Sequence, residues 1–158
     1  DLVVFVLDRP RHVDLVAEIR AAGARAVLHT EGDVAGALMA SFVDSGIDIL
    51  IGTGGVLEGL IAACAVKAAG GGMLGRLAPW REDERAAIAA ADFDSARILT
   101  VDELVTSNEI FFAATGITDG PLLKGVRYHG DRATSNSMIL RGETRTRRLI
   151  QAEHLLEE

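Results

Sequence analysis

The sequence predicts an α/β fold, a three-layer α/β/α sandwich with a mixed, partly parallel sheet, and three observations carry that prediction. The first third of the chain repeats an apolar strand, a polar or glycine-bearing loop and a helix three times. Such alternation with short loops specifies parallel strands joined by crossover helices. The tail alternates in the manner of antiparallel strands instead, with Gly142-Glu143 opening a hairpin connection. Finally, 158 residues of 49% hydrophobic content are enough for one domain, residues 1–158, with its own core. No proline-rich linker, low-complexity tract or solenoid period divides the chain.

The elements follow in order. Leu2 to Leu7 is an unbroken apolar run and reads as the first strand; Leu15, Val16, Ile19 and Ala22 then recur at helical spacing, with Gly23 as the stop. Arg25 to Leu28 is the second strand, followed by a helix from Asp33 to Phe42 and a turn at Asp44-Ser45-Gly46. Ile47 to Ile51 is the third, and Gly52-Thr53-Gly54-Gly55 leads from it into a helix over Leu57 to Ala69, in which Leu60 to Val66 reads as a buried face. Beyond Gly70-Gly71-Gly72 the pattern is less regular: short strands at Met73 to Leu77 and Ile98 to Thr100, an acid-started helix from Glu82 to Ala91, and a helical turn led by Asp102. Ile110 to Thr115 is predicted as a buried strand, and Ser137 to Arg141 with Arg148 to Ala152 as the antiparallel pair.

Charge narrows the classes of function. A net charge of −7 argues against a generic nucleic-acid or anionic-membrane surface, because those are bound through cationic excess. Any anion site must therefore be local. The longest purely apolar stretch, Leu60 to Val66, falls far short of the ~20 residues that span a bilayer. Cys64 stands alone, which rules out a disulfide framework, and it reads as a small buried hydrophobe. His12, His29, His129 and His154 show no metal-ligand spacing and read as solvated or capping residues.

Ligands of open parallel sheets bind beyond the carboxyl ends of the strands, and three loops leave such ends: Arg9-Pro10-Arg11, Glu31-Gly32-Asp33 and Gly52 to Glu58. They are predicted to face one cleft. Arg9 and Arg11 flank a proline that fixes the backbone, so two guanidinium groups can converge on a phosphate; alternatively they are loop charges paired with Asp8 or Asp14. Glu31 and Asp33 can accept hydrogen bonds from sugar hydroxyls while Gly32 admits close backbone approach, although N-capping alone would account for Asp33. Glu58 lies in a first helical turn, where the helix dipole is a sufficient reason for a carboxylate. Lys124, Arg127 and Tyr128 form either a second cationic edge or plain fold support near the Asp119-Gly120-Pro121 turn.

Four runs, LDRPRH (7–12), EGDVAGAL (31–38), GTGGVLEG (52–59) and FFAATGITDGPLLKGVRY (111–128), occur in this order. With them, nearly the whole chain resembles the C-terminal half of class II fructose-1,6-bisphosphatases of the GlpX type. The resemblance implies hydrolysis of the 1-phosphate of fructose 1,6-bisphosphate to fructose 6-phosphate and phosphate, as in gluconeogenesis, with Mn2+ or Mg2+ activating the attacking water. It further implies substrate binding by Arg9, Pro10, Arg11, Glu31, Gly32, Asp33 and Gly55, and metal ligation by Glu58. No catalytic residue is assigned to this chain. By the same resemblance the chain is the substrate-side part of a longer cytoplasmic enzyme, a homo-oligomer at full length, whose N-terminal metal-binding part is absent here and without which the fragment is inactive. A bifunctional fructose-1,6-/sedoheptulose-1,7-bisphosphatase and a non-catalytic sugar-phosphate-binding module are the alternatives. Three positions depart from the family pattern: Glu31 replaces an aspartate, and Val56-Leu57 replaces Thr-Pro.

Overall fold

The computed structural model describes residues 1–156. Strands β1 (Val3–Leu7), β2 (Arg25–His29) and β3 (Ile49–Leu50) form a parallel sheet in the order β2-β1-β3. Val4, Phe5 and Val6 of the central strand are all buried, as a strand covered on both faces requires. Alternation sends Val4 and Val6 to one face, where they pack with Val16 and Ile19 of α1 (Val13–Ala21). Phe5 points the other way, toward α2 (Asp33–Ala40), and a Cβ at Gly36 would lie 2.6 Å from its ring. Residue 36 must therefore lack a side chain for α2 to approach the sheet.

The third strand is shorter than the predicted Ile47 to Ile51, because side chains take over the pairing around its start. The Asp48 carboxylate accepts the Val3 N–H at 2.7 Å, and the Ser45 hydroxyl accepts the Ile47 N–H at 3.1 Å. Helix α3 (Val56–Ala69) ends at Gly70, whose φ of 80° is the left-handed conformation that glycine adopts without penalty. Its burial begins at Ala62, so the expected buried face is only half right: Leu60 and Ile61 are 39% and 51% exposed. Cys64 is half-buried rather than fully buried.

A second sheet is antiparallel. It contains β6 (Phe111–Thr115), β7 (Arg127–His129), β8 (Arg132–Arg141) and β9 (Thr146–Leu155). β9 pairs with the whole of β8; along the other edge of β8, β6 covers Ser137 to Arg141 and β7 covers Arg132 to Thr134. The hairpin is thus longer than the sequence predicts. Met138 and Leu140 of β8 close over Leu38, Ala65 and Ala68 of α2 and α3, and Phe112 of β6 packs against the same cluster. β6 was expected to be buried; it alternates instead, with Phe111 67% exposed, because among the described residues β8 is its only strand partner and one of its faces is open. The α/β class holds, with the parallel and antiparallel strands in separate sheets.

Between β6 and β7 the chain closes a tight loop. A Cβ at Gly116 would meet the Lys124 carbonyl oxygen at 2.2 Å, and one at Gly125 would meet the Thr118 backbone at 2.6 Å, so both positions demand glycine. The Asp119 carboxylate accepts the Gly125 N–H at 2.9 Å and pairs with Arg127 at 2.5 Å; these two contacts hold its carboxyl below the usual range. The remaining segment carries two short strands, β4 (Leu74–Gly75) and β5 (Leu99–Thr100), paired antiparallel, with α4 (Glu82–Ala90) between them and α5 (Val101–Leu104) after. Glu103 reaches back to the Thr100 N–H and Glu84 to those of Trp80 and Arg81, which starts each helix and lowers each carboxyl's pKa. No residue of α4 is buried. Among the described residues no helix is long and apolar enough to cross a membrane.

Candidate ligand-binding cleft

The three strand-end loops emerge side by side. Leu7 is in register with His29, and Phe5 with Leu50, so the segments after β1, β2 and β3 leave the same edge of the parallel sheet. What gathers them is the glycine run after β3. Gly52 lies against the His12 ring, where an added Cβ would sit 3.3 Å from Cε1. Both backbone groups of Thr53 are engaged by the first loop: its carbonyl accepts from Arg11 Nε at 2.7 Å, and its N–H donates to His12 Nε2 at 3.0 Å. Gly54 faces Asp33, with Oδ2 3.6 Å from where its Cβ would be, and Gly55 faces Glu58, whose Oε2 occupies the space a Cβ would need. Each of these four residues thus meets a side chain from one of the predicted loops.

The predicted site residues fall into this frame as follows. Pro10 opens the 3-10 turn Pro10–His12, and the extended Arg9 precedes it. Neither arginine pairs with Asp8 or Asp14; among the described residues no ion pair involves Arg9 or Arg11. Arg9 makes only a long bond, 3.4 Å, to the adjacent Asp8 carbonyl. With its Nε committed to Thr53, Arg11 keeps its two terminal nitrogens for an anion, the fork that suits phosphate.

At the second loop the capping expectation is corrected. Gly32, at φ 94°, takes the N-cap position, and Asp33 is the first helical residue. Its Oδ1 still accepts an N–H of the first turn, that of Val34 at 2.9 Å, while Oδ2 turns to Gly54. Glu31 is exposed. Glu58 is exposed in the first turn of α3 and folds back over Gly55. Val56 and Leu57 beside it are 63% and 74% exposed, apolar side chains next to the loop carboxylates.

Carboxylate oxygens suit a hard divalent cation, and Glu58 with Asp33 supplies such donors at the rim of one loop. Among the described residues, however, no three or more His, Cys, Asp or Glu side chains gather into a group able to hold a metal ion. Glu58 and Asp33 are thus fewer donors than such a cation needs, among the described residues. The second cationic edge is a different surface: Lys124 and Arg127, with Asp119 and His129, line a polar cavity of about 520 Å³ that shares no residue with the three loops. Arg127 is tied to Asp119 there, which favours fold support, and Tyr128 is 71% exposed.

Sequence reading missed His12. Expected to be solvated or capping, it is 3% exposed and bonded at both nitrogens, to the Leu7 carbonyl at 2.8 Å and to Thr53. Its partner Thr53 is 41 residues away, and nothing local in the sequence announces such a contact. His29 is also not simply solvated, since it stacks on Phe5 with ring centroids 4.1 Å apart.

Residues 1–154 match the family described as bacterial fructose-1,6-bisphosphatase, glpX-encoded. The chain is 39% identical to a protein of Synechococcus sp. (strain JA-3-3Ab) named D-fructose 1,6-bisphosphatase class 2/sedoheptulose 1,7-bisphosphatase, over 98% of this chain and 48% of that protein. It is 37% identical to the fructose-1,6-bisphosphatase class 2 of Haemophilus influenzae, over 100% of this chain and 51% of that protein. The chain spans about half the length of the curated relatives it matches.

Proposed function

The chain belongs to the glpX-encoded family of bacterial fructose-1,6-bisphosphatases, and from that premise we propose that it is the sugar-phosphate-holding part of a longer, metal-dependent enzyme that hydrolyses the 1-phosphate of fructose 1,6-bisphosphate. The observation that carries this reading is the convergence of Arg11, His12, Asp33 and Glu58 on Gly52 to Gly55. It brings a phosphate-gripping fork, hydroxyl acceptors and a metal-type carboxylate to one strand-end edge.

In this reading Arg9 and Arg11 hold the phosphate that is not cleaved, through charge-assisted hydrogen bonds at the start of the Pro10 turn. Asp33 Oδ2 and Glu31 accept from the sugar hydroxyls, and Gly32 and Gly55 let substrate approach the backbone. Glu58 would hold the cation; Mn2+ or Mg2+ there supplies Lewis-acid neutralisation of the phosphoryl oxygens. Hydrolysis adds water at phosphorus, breaks the bond to the C1 oxygen and releases inorganic phosphate and fructose 6-phosphate. Fixing the far phosphate and the sugar aligns the scissile group, and such remote binding energy is what raises the rate.

A second substrate is favoured by the Synechococcus relatives, which are named for both fructose and sedoheptulose bisphosphates. Phosphate release from each bisphosphate, with Mn2+ or Mg2+, is the test. The whole polypeptide should turn over, and the 158-residue chain alone should not, because it lacks a complete ligand group among the described residues. Robust metal-dependent turnover by the pure chain would overturn this division of labour.

A further inference from the structure

We propose that His12 is a positioning residue, held as one neutral tautomer, that sets the Arg11 guanidinium against the glycine loop; the inference rests on the phosphate-binding role given to Arg11 above. His12 is the buried polar side chain among the described residues, and both of its nitrogens are committed. The Leu7 carbonyl only accepts and the Thr53 N–H only donates. Nδ1 therefore carries the proton and Nε2 is bare. The ring spans from the last residue of β1 to the loop after β3, beyond the final backbone bond between those strands, Ile51 N–H to Phe5 O at 3.2 Å. It fits because residue 52 has no side chain in its path.

Two consequences follow from that geometry. With no free nitrogen, the imidazole has none to offer a substrate or a proton in flight, so it acts through its neighbour. The neighbour is Arg11, whose Nε donates to the carbonyl of Thr53, the residue whose N–H the ring holds. Releasing the ring from Thr53 frees that backbone to turn and removes the anchor that aims Arg11.

Two substitutions divide the ring's bonds. His12→Gln places an amide oxygen near the Nε2 position and can accept from Thr53, whereas His12→Asn can donate to Leu7 but is too short for Thr53. In the whole polypeptide, Asn should raise KM for fructose 1,6-bisphosphate about tenfold at nearly constant kcat, and Gln should stay within about threefold of the parent, as expected for one hydrogen bond. Nitrogen-15 spectra of the parent should show a protonated Nδ1 and a bare Nε2. The Arg11 Nε–H should exchange slowly in the parent and in Gln, and fast in Asn, whether or not the protein turns over. Equal KM for Asn and the parent, a protonated Nε2, or an Arg11 Nε–H unaffected in Asn overturns the inference. Failure of Arg11→Ala to change KM sinks the phosphate-binding reading instead, and the exchange rates then still decide what His12 does for Arg11.

Discussion

Three arginines of the four-stranded antiparallel sheet and its connections are held in the opposite way to the two at the end of the parallel sheet, while Arg147 of β9, without an ion pair among the described residues, lies over the Phe42 ring. On the antiparallel sheet and its connections, Arg127 pairs with Asp119, Arg132 with Glu153 and Arg141 with Glu143. At the end of the parallel sheet, Arg9 and Arg11 have no carboxylate partner among the described residues, although Asp8 and Asp14 are close in sequence. Scarcity of acids is not the reason, since the chain has 23 acidic against 16 basic residues. Arg11 is instead held by a backbone carbonyl, which orients a guanidinium without neutralising it. A cation fixed by a neutral group is ready for an anion; a cation fixed by a carboxylate has already found one.

The largest effect that can break this contrast belongs to Glu58, the carboxylate folded over Gly55 at the same edge. In the whole polypeptide, Glu58→Gln should weaken activation by divalent metal and lower kcat by about two orders of magnitude or more, because several kcal/mol of charge stabilisation is at stake. Melting should barely change, since a charge in a first helical turn contributes only ~0.3 to 1 kcal/mol. A lower melting temperature with normal metal activation would leave Glu58 as a helix-dipole residue and nothing more.

Next in size is Arg11→Ala, which should raise KM with a loss of about 1.5 to 3 kcal/mol, the range for hydrogen bonds to charged groups. Steady-state kinetics on the sugar bisphosphate measures it. An unchanged KM would erase the difference between the two sets of arginines.

The smallest effect sharpens the other side. Arg127→Ala should leave KM untouched and keep the melting temperature within about 4 °C of the parent, as exposed ion pairs do. Its signature is in acid. The Asp119 carboxyl is held below its usual range first by the Gly125 N–H and then by Arg127. The stability this gives is present at neutral pH and is lost as pH falls below the ordinary carboxylate range and through the lowered value. Removing Arg127 should move that loss to higher pH, which melting curves recorded between neutral pH and pH 3 would reveal; a parent-like acid profile counts against the pairing.

Most of the first hundred residues could be read from local signals. The apolar runs of β1 and β2 and the glycines at positions 23 and 70 mark their elements within a few residues. β8 and β9 were underestimated because Arg132 to Asn136 is polar apart from Ala133; that half is held by cross-strand pairing with β7 and β9 rather than by an apolar pattern. The burial expected for β6 and for the start of α3 failed for a related reason, since exposure depends on which neighbours arrive and no run of apolar residues encodes them. At the cleft, the three loops were legible from their position after strands. His12 was not, because a histidine in a turn looks the same whether its ring faces water or a strand end.

The double hold on Thr53 has a consequence for how this cleft can evolve. Side chains that share one partner do not respond independently, and coupling between such neighbours is typically about 0.5 to 3 kcal/mol. A substitution at residue 11 thus changes what residue 12 contributes, and a side chain added at residue 52 is felt by the ring before it is felt by a ligand. Single steps through this region carry costs that paired steps avoid. Residues 11, 12, 52 and 53 are therefore expected to change as one epistatic unit, first loop and third together.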